Sequence, residues 1–579
     1  MRIDVHQSNE AIAFINSARK EWQELYEQCA WGTVLQSIEF VTTWYEIYEP
    51  LFDPLVVAGF DERDQLIGLL LLAVSREDGK LVAAGSNQAE YEVWLATPES
   101  NDEFISRALD RLRERFPNGE LRFLFLPPNA PRQWLERDVT WRAQSELRPH
   151  VRGLMRTNDA DNFRGSLKKK SNKSRLKRLE RHGAVSFERL TSAEQLADVF
   201  DEIITYGTFR LSAVHNAPVA RDPLKKDFYL AMMRRPRLVH ATVLRVGDRV
   251  AAAHVGLYNK DSVLLGILTH APFFAEHSPG KLLLLMLGIE LAEEGVPVFD
   301  LTPGGEYKER FATDADTAYA LNIFFNPAHF RRYKAKRKMI GVAKRALQFA
   351  NVTPAQAAEK TGNVLHKLRR VNPVKVPAKV FQRISKKIGD ARECRVYSFA
   401  VERVDELPQT PLVRRDAVAD FLDYDPIEAW QPPVQPFMRD VLKRFADGCH
   451  SYTLTENGVL LCWGWLIERR EKSHFTEVEQ DFYPLPDSVL LYDAYTHPQA
   501  RGKGLYKAVM CQMMRDAAQI PGTKRVYGFV LADNHASRHV LEKLGFKYEY
   551  SFYSRTKFGK TRRWSDAPRE VTHPRDAGD

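Results

Sequence analysis

Cysteine is scarce: Cys29, Cys394, Cys449, Cys462 and Cys511 are the five in 579 residues, odd in number and scattered. That excludes a disulfide framework and the paired spacing of a zinc site, so no metal is expected, and it points to a reducing compartment, the cytosol. Long apolar runs are missing too. The longest, "KLLLLMLGIELA", is far too short to span a bilayer and reads as a buried helix. The opening "MRIDVHQSNEAIAFI" lacks the basic region and apolar run of a secretory signal. Acids are nearly absent from 331–395, where 19 Lys and Arg stand against Glu359, Asp390 and Glu393. The local balance there is +16 against +9 for the whole chain, so the rest carries about −7 and the basic character belongs to a connector.

What is present is ordinary for a soluble globular protein, 44% hydrophobic and 27% charged, in a chain long enough for three or four domains. A pattern runs along it three times. The stretches "PLVVAGFDERDQLIGLLLLAV" (54–74), "VHATVLRVGDRVAAAHVGLY" (239–258) and "SYTLTENGVLLCWGWLI" (451–467) place apolar runs around Gly, Asp or Asn turn chemistry and read as hairpins. Each is followed by an apolar strand, a long helix and a last strand: "LRFLFLP" (121–127), "VPVFDLTP" (296–303) and "RVYGFVLADN" (525–534). The expectation is an α/β (α+β) fold of three modules, each a mixed sheet flanked by helices. In the second and third copies, "DSVLLGILTHAP" and "DSVLLYDAYTHPQ" both reach Thr-His, a loop, Gly-Lys and a helix; the first copy has no glycine between strand and helix.

Between these parts, "FRGSLKKKSNKSRLKRLERHG" (163–183) reads as one basic helix, and Asn326–Pro327 as N-cap and first residue of another. A second helical stretch is expected from Thr353–Pro354 to Arg370, and "VNPVKVPAK" breaks regularity. From about Arg562 the chain has little to bury and reads as a disordered tail.

The junction "THPQARGKGLYKAVM" (496–510) carries more glycine than a turn requires. A helix N-terminus presents unpaired N–H groups and partial positive charge. Gly502 and Gly504 ahead of it let backbone N–H groups converge without a Cβ in the way, and Lys503 adds charge, which together make a seat for a diphosphate. The bland alternative is a helix start with a flexible cap.

Gln499, Gly502 and Gly504, in the order Q-x-x-G-x-G after an apolar strand, resemble motif A of the Gcn5-related N-acetyltransferases (GNAT), and "NHASRHVLEKLGFKY" (534–548) resembles their motif B. The resemblance covers roughly 393–557. It implies acetyl-CoA or another acyl-CoA as co-substrate, held by Thr496, Gln499, Arg501, Gly502, Lys503, Gly504, Leu505 and Asn534, with pantetheine along the splayed strand edge. The tyrosine that many relatives carry seven residues after the motif B Asn is Leu541 here, so Tyr550, Tyr553 or water is considered as the acid for the leaving thiolate. Asp493 is the candidate base, with an edge carboxylate facing solvent as the alternative.

Residues 1–330 resemble acyltransferases of the CelD/BcsL type, related to the FemABX group. The resemblance rests on "LQSIEFVTTWYEIY", "LKKKSNKSRLKRLERHG", "DRVAAAHVGLY", "HSPGKLLL" and "FDLTPGGEYKERF", taken in order. It implies tandem GNAT-like modules with the first degenerate. Ser278, Gly280 and Lys281 would take the phosphate-seat role, and Asp300, Glu306, Tyr307 and Lys308 the substrate pocket, Asp300 and Glu306 as catalytic candidates. A turn cap is the other reading of Asp300. His254 is taken for the substrate site, against a core histidine.

The expected organisation is 1–150 degenerate module, 151–330 CelD/BcsL-type module, 331–392 basic connector, 393–560 GNAT domain and 561–579 tail. The resemblance implies a cytoplasmic acyltransferase acting on an amine or hydroxyl of a saccharide precursor, as in exopolysaccharide biosynthesis, or of an amino-acid-derived metabolite. Aminoacyl transfer from charged tRNA and a non-catalytic acyl-CoA-binding scaffold are the alternatives. The 331–395 segment is expected to contact anionic membrane rather than nucleic acid, since no zinc finger, aromatic RNA-binding strand or DNA-reading helix is present in the sequence.

Overall fold

The computed structural model describes residues 1–214, 221–349, 389–410, 413–428, 430–557 and 560–573. They fall into two compact units, 1–207 with 220–353, and 208–219 with 354–579. The helix expected after Thr353 and the break at "VNPVKVPAK" lie outside the described residues.

The fold is mixed α/β, built on three main sheets. In the first unit β1 (Arg2–Gln7), β2 (Phe52–Phe60), β3 (Leu66–Ser75), β4 (Leu81–Ala83) and β5 (Leu95–Ala96) form a small sheet, with β2–β3 as the first hairpin. All its pairings are antiparallel. The strand that follows its long helix, β6 (Glu120–Leu126), pairs instead with the second sheet. Mixed pairing is therefore confined to the second and third sheets.

The second sheet adds β7 (Ser145–Arg156), β8 (Val185–Leu190), β9 (Val239–Val246), β10 (Arg249–Asn259), β11 (Ser262–His270), β12 (Val298–Pro303) and β13 (Asp314–Phe324), in the order β6-β13-β7-β12-β11-β10-β9-β8. The boundary expected at 150/151 falls inside β7. Its sequence "SELRPHVRGLMR" lacks apolar alternation because it is recruited by partners on both sides rather than by a buried face of its own.

The second unit holds β14 (Gly389–Ala400), β15 (Arg414–Arg415), β16 (Cys449–Glu456), β17 (Val459–Ile467), a hairpin of β18 (Ser473–Phe475) and β19 (Gln480–Phe482), then β20 (Ser488–Thr496), β21 (Arg525–Leu531), β22 (Lys547–Lys557) and β23 (Lys560–Ser565). Its main sheet runs β15-β16-β17-β20-β21-β14-β22-β23. Set against the second sheet, the arrangement is the same: a hairpin, a third strand, one parallel neighbour, then the strand that opened the module. The sequence repeat is a repeat of topology, and β6 occupies the edge that β23 occupies in the third sheet.

The crossover helices cover these sheets with buried apolar residues, and Pro279–Glu294 is enclosed on more than one side, since Leu282, Leu283 and Leu284 in succession are all buried. Pro279–Glu294 buries Leu284, Leu287 and Leu291 against Val263, Leu265 and Phe299. Leu505–Ala518 buries Val509, Met510, Met513 and Met514 against Val489, Leu491 and Val526. Each such side chain contributes on the order of 1.5–3 kcal/mol when removed from water. The helix Pro327–Phe349 starts as its sequence predicts, with Asn326 Oδ1 accepting from Ala328 N at 2.8 Å.

Two expectations are corrected. The basic stretch is two helices, Ala160–Lys168 and Lys170–Glu180, because Lys169 turns to ψ 139 and Asn172 Nδ2 donates to the Ser166 carbonyl at 2.8 Å. The tail is ordered as far as His573: β23 pairs with β22, Trp564 stacks on Tyr553 at 5.3 Å, and Val571 is buried. Few apolar residues sufficed because the sheet edge supplied the hydrogen bonds. Residues 574–579 lie outside the described residues.

Two predictions follow from this packing. Deleting 560–579 removes β23, the Trp564 stack and the Val571 anchor, so the melting temperature of the second unit falls by several degrees; an unchanged melt would restore the disordered reading. In the first unit, burial pushes the pKa of His240 down to about 2 and of His254 down to about 3. An unfolded histidine titrates near ~6.5, so the unfolded chain binds protons that the folded one refuses. That stability is complete above pH ~6.5 and is lost as pH falls toward the folded values, at up to about 1.4 kcal/mol per pH unit for each histidine. Urea midpoints at pH 7 and 4.5 measure it, and His240→Gln/His254→Gln should flatten the slope.

Candidate functional site

β20 and β21 are parallel neighbours for only four register pairs, Ser488↔Arg525 to Leu491↔Gly528. Beyond Leu491, β20 continues to Thr496 without β21, so the sheet opens into a V. On the other side of β20 the register against β17 passes from Trp465↔Tyr492 to Trp463↔Tyr495. That is three residues against two, a bulge at Asp493 and Ala494, and Asp493 takes φ 47. The first unit repeats the device: β11 pairs with β12 only from Ser262 to Leu264 and carries its extra residue against β10 between Leu264 and Ile267.

The V in the second unit leads to the glycine loop. Pro498–Ala500 forms a 3-10 turn, in which the Gln499 amide donates to His497 Nδ1 at 3.3 Å. Arg501 is tied down, its Nε donating to the Thr496 carbonyl (3.2 Å) and its Nη2 pairing with Glu428 (2.9 Å). Gly502 and Gly504 sit at φ 81 and 79, and a Cβ on either would point into open space. Both positions therefore use left-handed backbone that other residues rarely adopt, and both leave room for a ligand. Among the described residues the amides of Gly502, Gly504, Leu505, Tyr506 and Lys507 find no acceptor; Lys503 N bonds Ala500 O at 3.4 Å. Lys503 is exposed beside them. This is a fit for a diphosphate: several free N–H groups, a helix N-terminus and a cation.

The equivalent start in the first unit is built differently. Ser278 is itself left-handed (φ 54, ψ 52), and Pro279 has no N–H. The amides of Lys281 and Leu282 are both spent on the Ser278 carbonyl, at 3.0 and 3.4 Å. Gly280 is left as the single free amide of that turn among the described residues. Charge there comes from side chains: the pKa of Lys281 is lowered by burial and then by Arg175 and Lys169. Ser278, Gly280 and Lys281 thus share a helix start but not the array of donors seen at 502–507.

The catalytic candidates of the second unit are largely reassigned. The Asp493 carboxylate closes an ion pair with Arg444, whose guanidinium lies over Trp465 (5.2 Å) and Tyr492 (5.0 Å). A carboxylate held this way gives up its partner if it takes a proton, so the bulge and the pair make Asp493 a positioning group rather than a base. Tyr553 lies on β22, with β14 between it and β21, about 10 Å from the V at ordinary strand spacing. Its hydroxyl donates to Asp566 at 3.2 Å, so it is not the thiolate acid; Tyr550, on the same strand, is excluded likewise. Leu541 is buried in the core. Asn534 caps the helix His535–Lys543, accepting from Ser537 N at 3.2 Å. Thr496 Oγ1 lies 3.5 Å from Cys462 Sγ, and Leu505 packs on the core. Sequence reasoning missed Tyr506, in the first turn of the motif A helix, whose hydroxyl turns to Ser537 and whose pKa burial pushes up to about 12. Its signal was the aromatic directly behind the glycines.

In the first unit Asp300 is enclosed. Its carboxylate accepts from Tyr91 Oη (2.9 and 3.0 Å), Arg152 Nη1 (3.1 Å) and Thr302 N (2.7 Å), and Arg152 also bonds Asp316. The turn-cap reading holds, and with its oxygens so engaged Asp300 is an anchor rather than a base. Lys308 Nζ donates to Thr302 Oγ1 at 2.9 Å, and burial lowers its pKa. Glu306 and Tyr307 stand on the short turn Glu306–Arg310, and their side chains lie outside the described set. His254 is fully buried in the second sheet with its ring 5.0 Å from that of Phe299, so it is a core residue rather than a wall of a substrate site.

Beside Asp300 runs a seam that the sequence did not reveal. Tyr48 Oη and Gln88 Nε2 both donate to Asp222 Oδ2, at 2.6 and 2.8 Å, while Tyr91 reaches Asp300. Glu90 lies between these two cross-links, without a hydrogen bond or ion pair among the described residues, and burial raises its pKa. Burial lowers that of Lys225, three residues after Asp222. These charges come together from positions 48–91, 152, 222–225 and 300–308, too far apart in sequence for any motif to link.

Comparison with known proteins bears on both units. Residues 166–312 match one acetyltransferase (GNAT) domain model and residues 411–547 match another. No protein with a curated description matches the sequence. Among solved structures, FemX is similar at 10% identity and TM-score 0.37, over 54% of this chain and 97% of that one. L-PGS from Bacillus licheniformis is similar at 10% and 0.34, over 54% and 94%. A tandem GNAT protein from the clavulanic acid biosynthesis pathway is similar at 14% and 0.21, over 66% and 100%. The two domain matches, lying on the two sheets that share a split parallel pair, identify the chain as a tandem-domain member of the GNAT superfamily.

Proposed function

We propose that the protein is an acyl-CoA-dependent acyltransferase whose donor site is the V and glycine loop of the second unit. The observation that carries this reading is the set of amides of Gly502, Gly504, Leu505, Tyr506 and Lys507, without an acceptor among the described residues, in front of an open surface. They would hold the diphosphate of the donor, and the free edge of β20 beyond Leu491 would bond its pantetheine arm. The bulge at Asp493 turns backbone out of the ladder beside the V, where an N–H can steady a thioester oxyanion. An acceptor amine or hydroxyl attacks the acyl carbon, the C–S bond breaks, the acceptor's proton passes to water, and the thiolate is protonated. Tyr506, neutral at working pH, stands in the first turn of the helix behind the glycine loop with its hydroxyl turned to Ser537, and is assigned that last proton. The acceptor side is the wall where Trp463 stacks on Tyr495 at 4.3 Å. Such a surface suits an amine or hydroxyl on a sugar, including an exopolysaccharide precursor, or on an amino-acid-derived metabolite.

The first unit contributes a second group of charged side chains. Glu90 and Lys225 are charges withdrawn from water by burial and without an ion pair among the described residues, with the Lys308 ammonium held by Thr302 beside them, an arrangement suited to a polar substrate. Its helix start offers fewer amides, so acyl-CoA is assigned to the second unit first.

Calorimetric titration of acetyl-CoA into the full chain should find one dominant site. Gly504→Val should weaken it at least tenfold while Lys281→Gln leaves it unchanged; a wild-type chain that binds no acyl-CoA overturns the reading. Thiol release with a panel of amines and amino sugars should be acceptor-dependent, and Tyr506→Phe should lower kcat with KM for the donor little changed. Binding without thiol release would assign a scaffold role, and turnover only with charged tRNA would assign aminoacyl transfer.

A further inference from the structure

The helix Pro327–Phe349 carries eight cations, Arg331, Arg332, Lys334, Lys336, Arg337, Lys338, Lys344 and Arg345, and no acid. Acyl transfer makes no use of it. One side is fixed to the second sheet: Phe330 packs on Phe324 at 5.4 Å, Tyr333 lies 4.9 Å from the same ring and donates to Glu146, and Arg337 pairs with Glu146. At about 100° per residue, the side opposite Phe330, Tyr333 and Arg337 presents Arg331, Arg332, Ala335, Met339 and Val342. Met339 is 73% exposed and Val342 61%, and Ile340 is 47% exposed nearby. A helix that needed only to stay in water would carry polar residues at those places.

We propose that this outward face docks on an anionic lipid bilayer, with Arg331, Arg332, Lys336 and Lys338 against the headgroups and Met339 and Val342 pressed into the interface. The charge is complementary and unopposed by any acid on the helix, and each cation brought near an anionic surface strengthens association about fivefold. The apolar pair distinguishes lipid from nucleic acid, because a phosphate backbone rewards the cations but gives Met339 and Val342 nothing to enter. The helix lies on the surface rather than crossing it: among the described residues no helix is long and apolar enough to span a membrane. The inference is independent of the acyl-transfer reading.

Flotation of the full chain with phosphatidylcholine vesicles, with and without an equal part of phosphatidylglycerol, tests it. The protein should float with the anionic vesicles at low salt, stay at the bottom with the neutral ones, and be released as salt screens the charges. Arg331→Gln/Arg332→Gln/Lys336→Gln and, separately, Met339→Ser/Val342→Ser should each cut binding about tenfold or more. All five side chains face solvent, so the thermal melt should not move. Failure to float at low salt, or flotation unaffected by both variants, overturns the proposal. RNA binding that survives Met339→Ser/Val342→Ser, without flotation, would assign the face to nucleic acid and overturn it as well.

Discussion

Parallel strands β20 and β21 are held together at their starts and released at their ends, and most of the second unit is arranged around that release. A parallel pair cannot stop bonding in mid-sheet without exposing N–H and C=O groups, and here the exposure is confined to the edge facing the glycine loop. The bulge at Asp493 bends β20 away, and the Arg444 pair fixes the bend from the side. The helix Leu505–Ala518 then starts at the mouth of the split with its first amides unbound among the described residues. Strand edge, bulge and helix dipole converge on one point, and an acyl thioester with a diphosphate has groups to match all three.

The same split occurs in the first unit between β11 and β12, so the two units share a device and differ in how they use it. Pro279 and the left-handed Ser278 close the helix start that Gly502 and Gly504 leave open. The first unit invests instead in buried charge at the seam between its two sheets, where Asp300 is saturated with donors and Glu90 has none among the described residues. The topology is duplicated and the loops are not: one module leaves its helix start open and the other closes it.

Much of the site was legible in the sequence where the chemistry is local. Gln499, Gly502 and Gly504 announce a backbone conformation, and a left-handed glycine before a helix means much the same wherever it occurs. The assignments that failed were those requiring a side chain to reach a place. Asp493 had a suitable carboxylate, but Arg444 arrives from another helix to neutralise it. Tyr553 lies near the motifs in sequence and two strands beyond β21 in space, and His254 had a suitable ring but no way out of the core.

The amino-acid sequence alone determined the hairpins, the crossover helices, the recurrence between the second and third copies and the open loop, because each depends on residues a few positions apart: apolar period, turn glycines, caps. Only the tertiary structure decided that β6 leaves its own module for the edge of the next sheet, that the final residues add a strand, and that Glu90 comes within the electrostatic reach of Lys225 and Lys308. Those outcomes depend on which unsatisfied sheet edge or buried charge a distant segment encounters, and the energy of such an encounter is written in neither segment by itself.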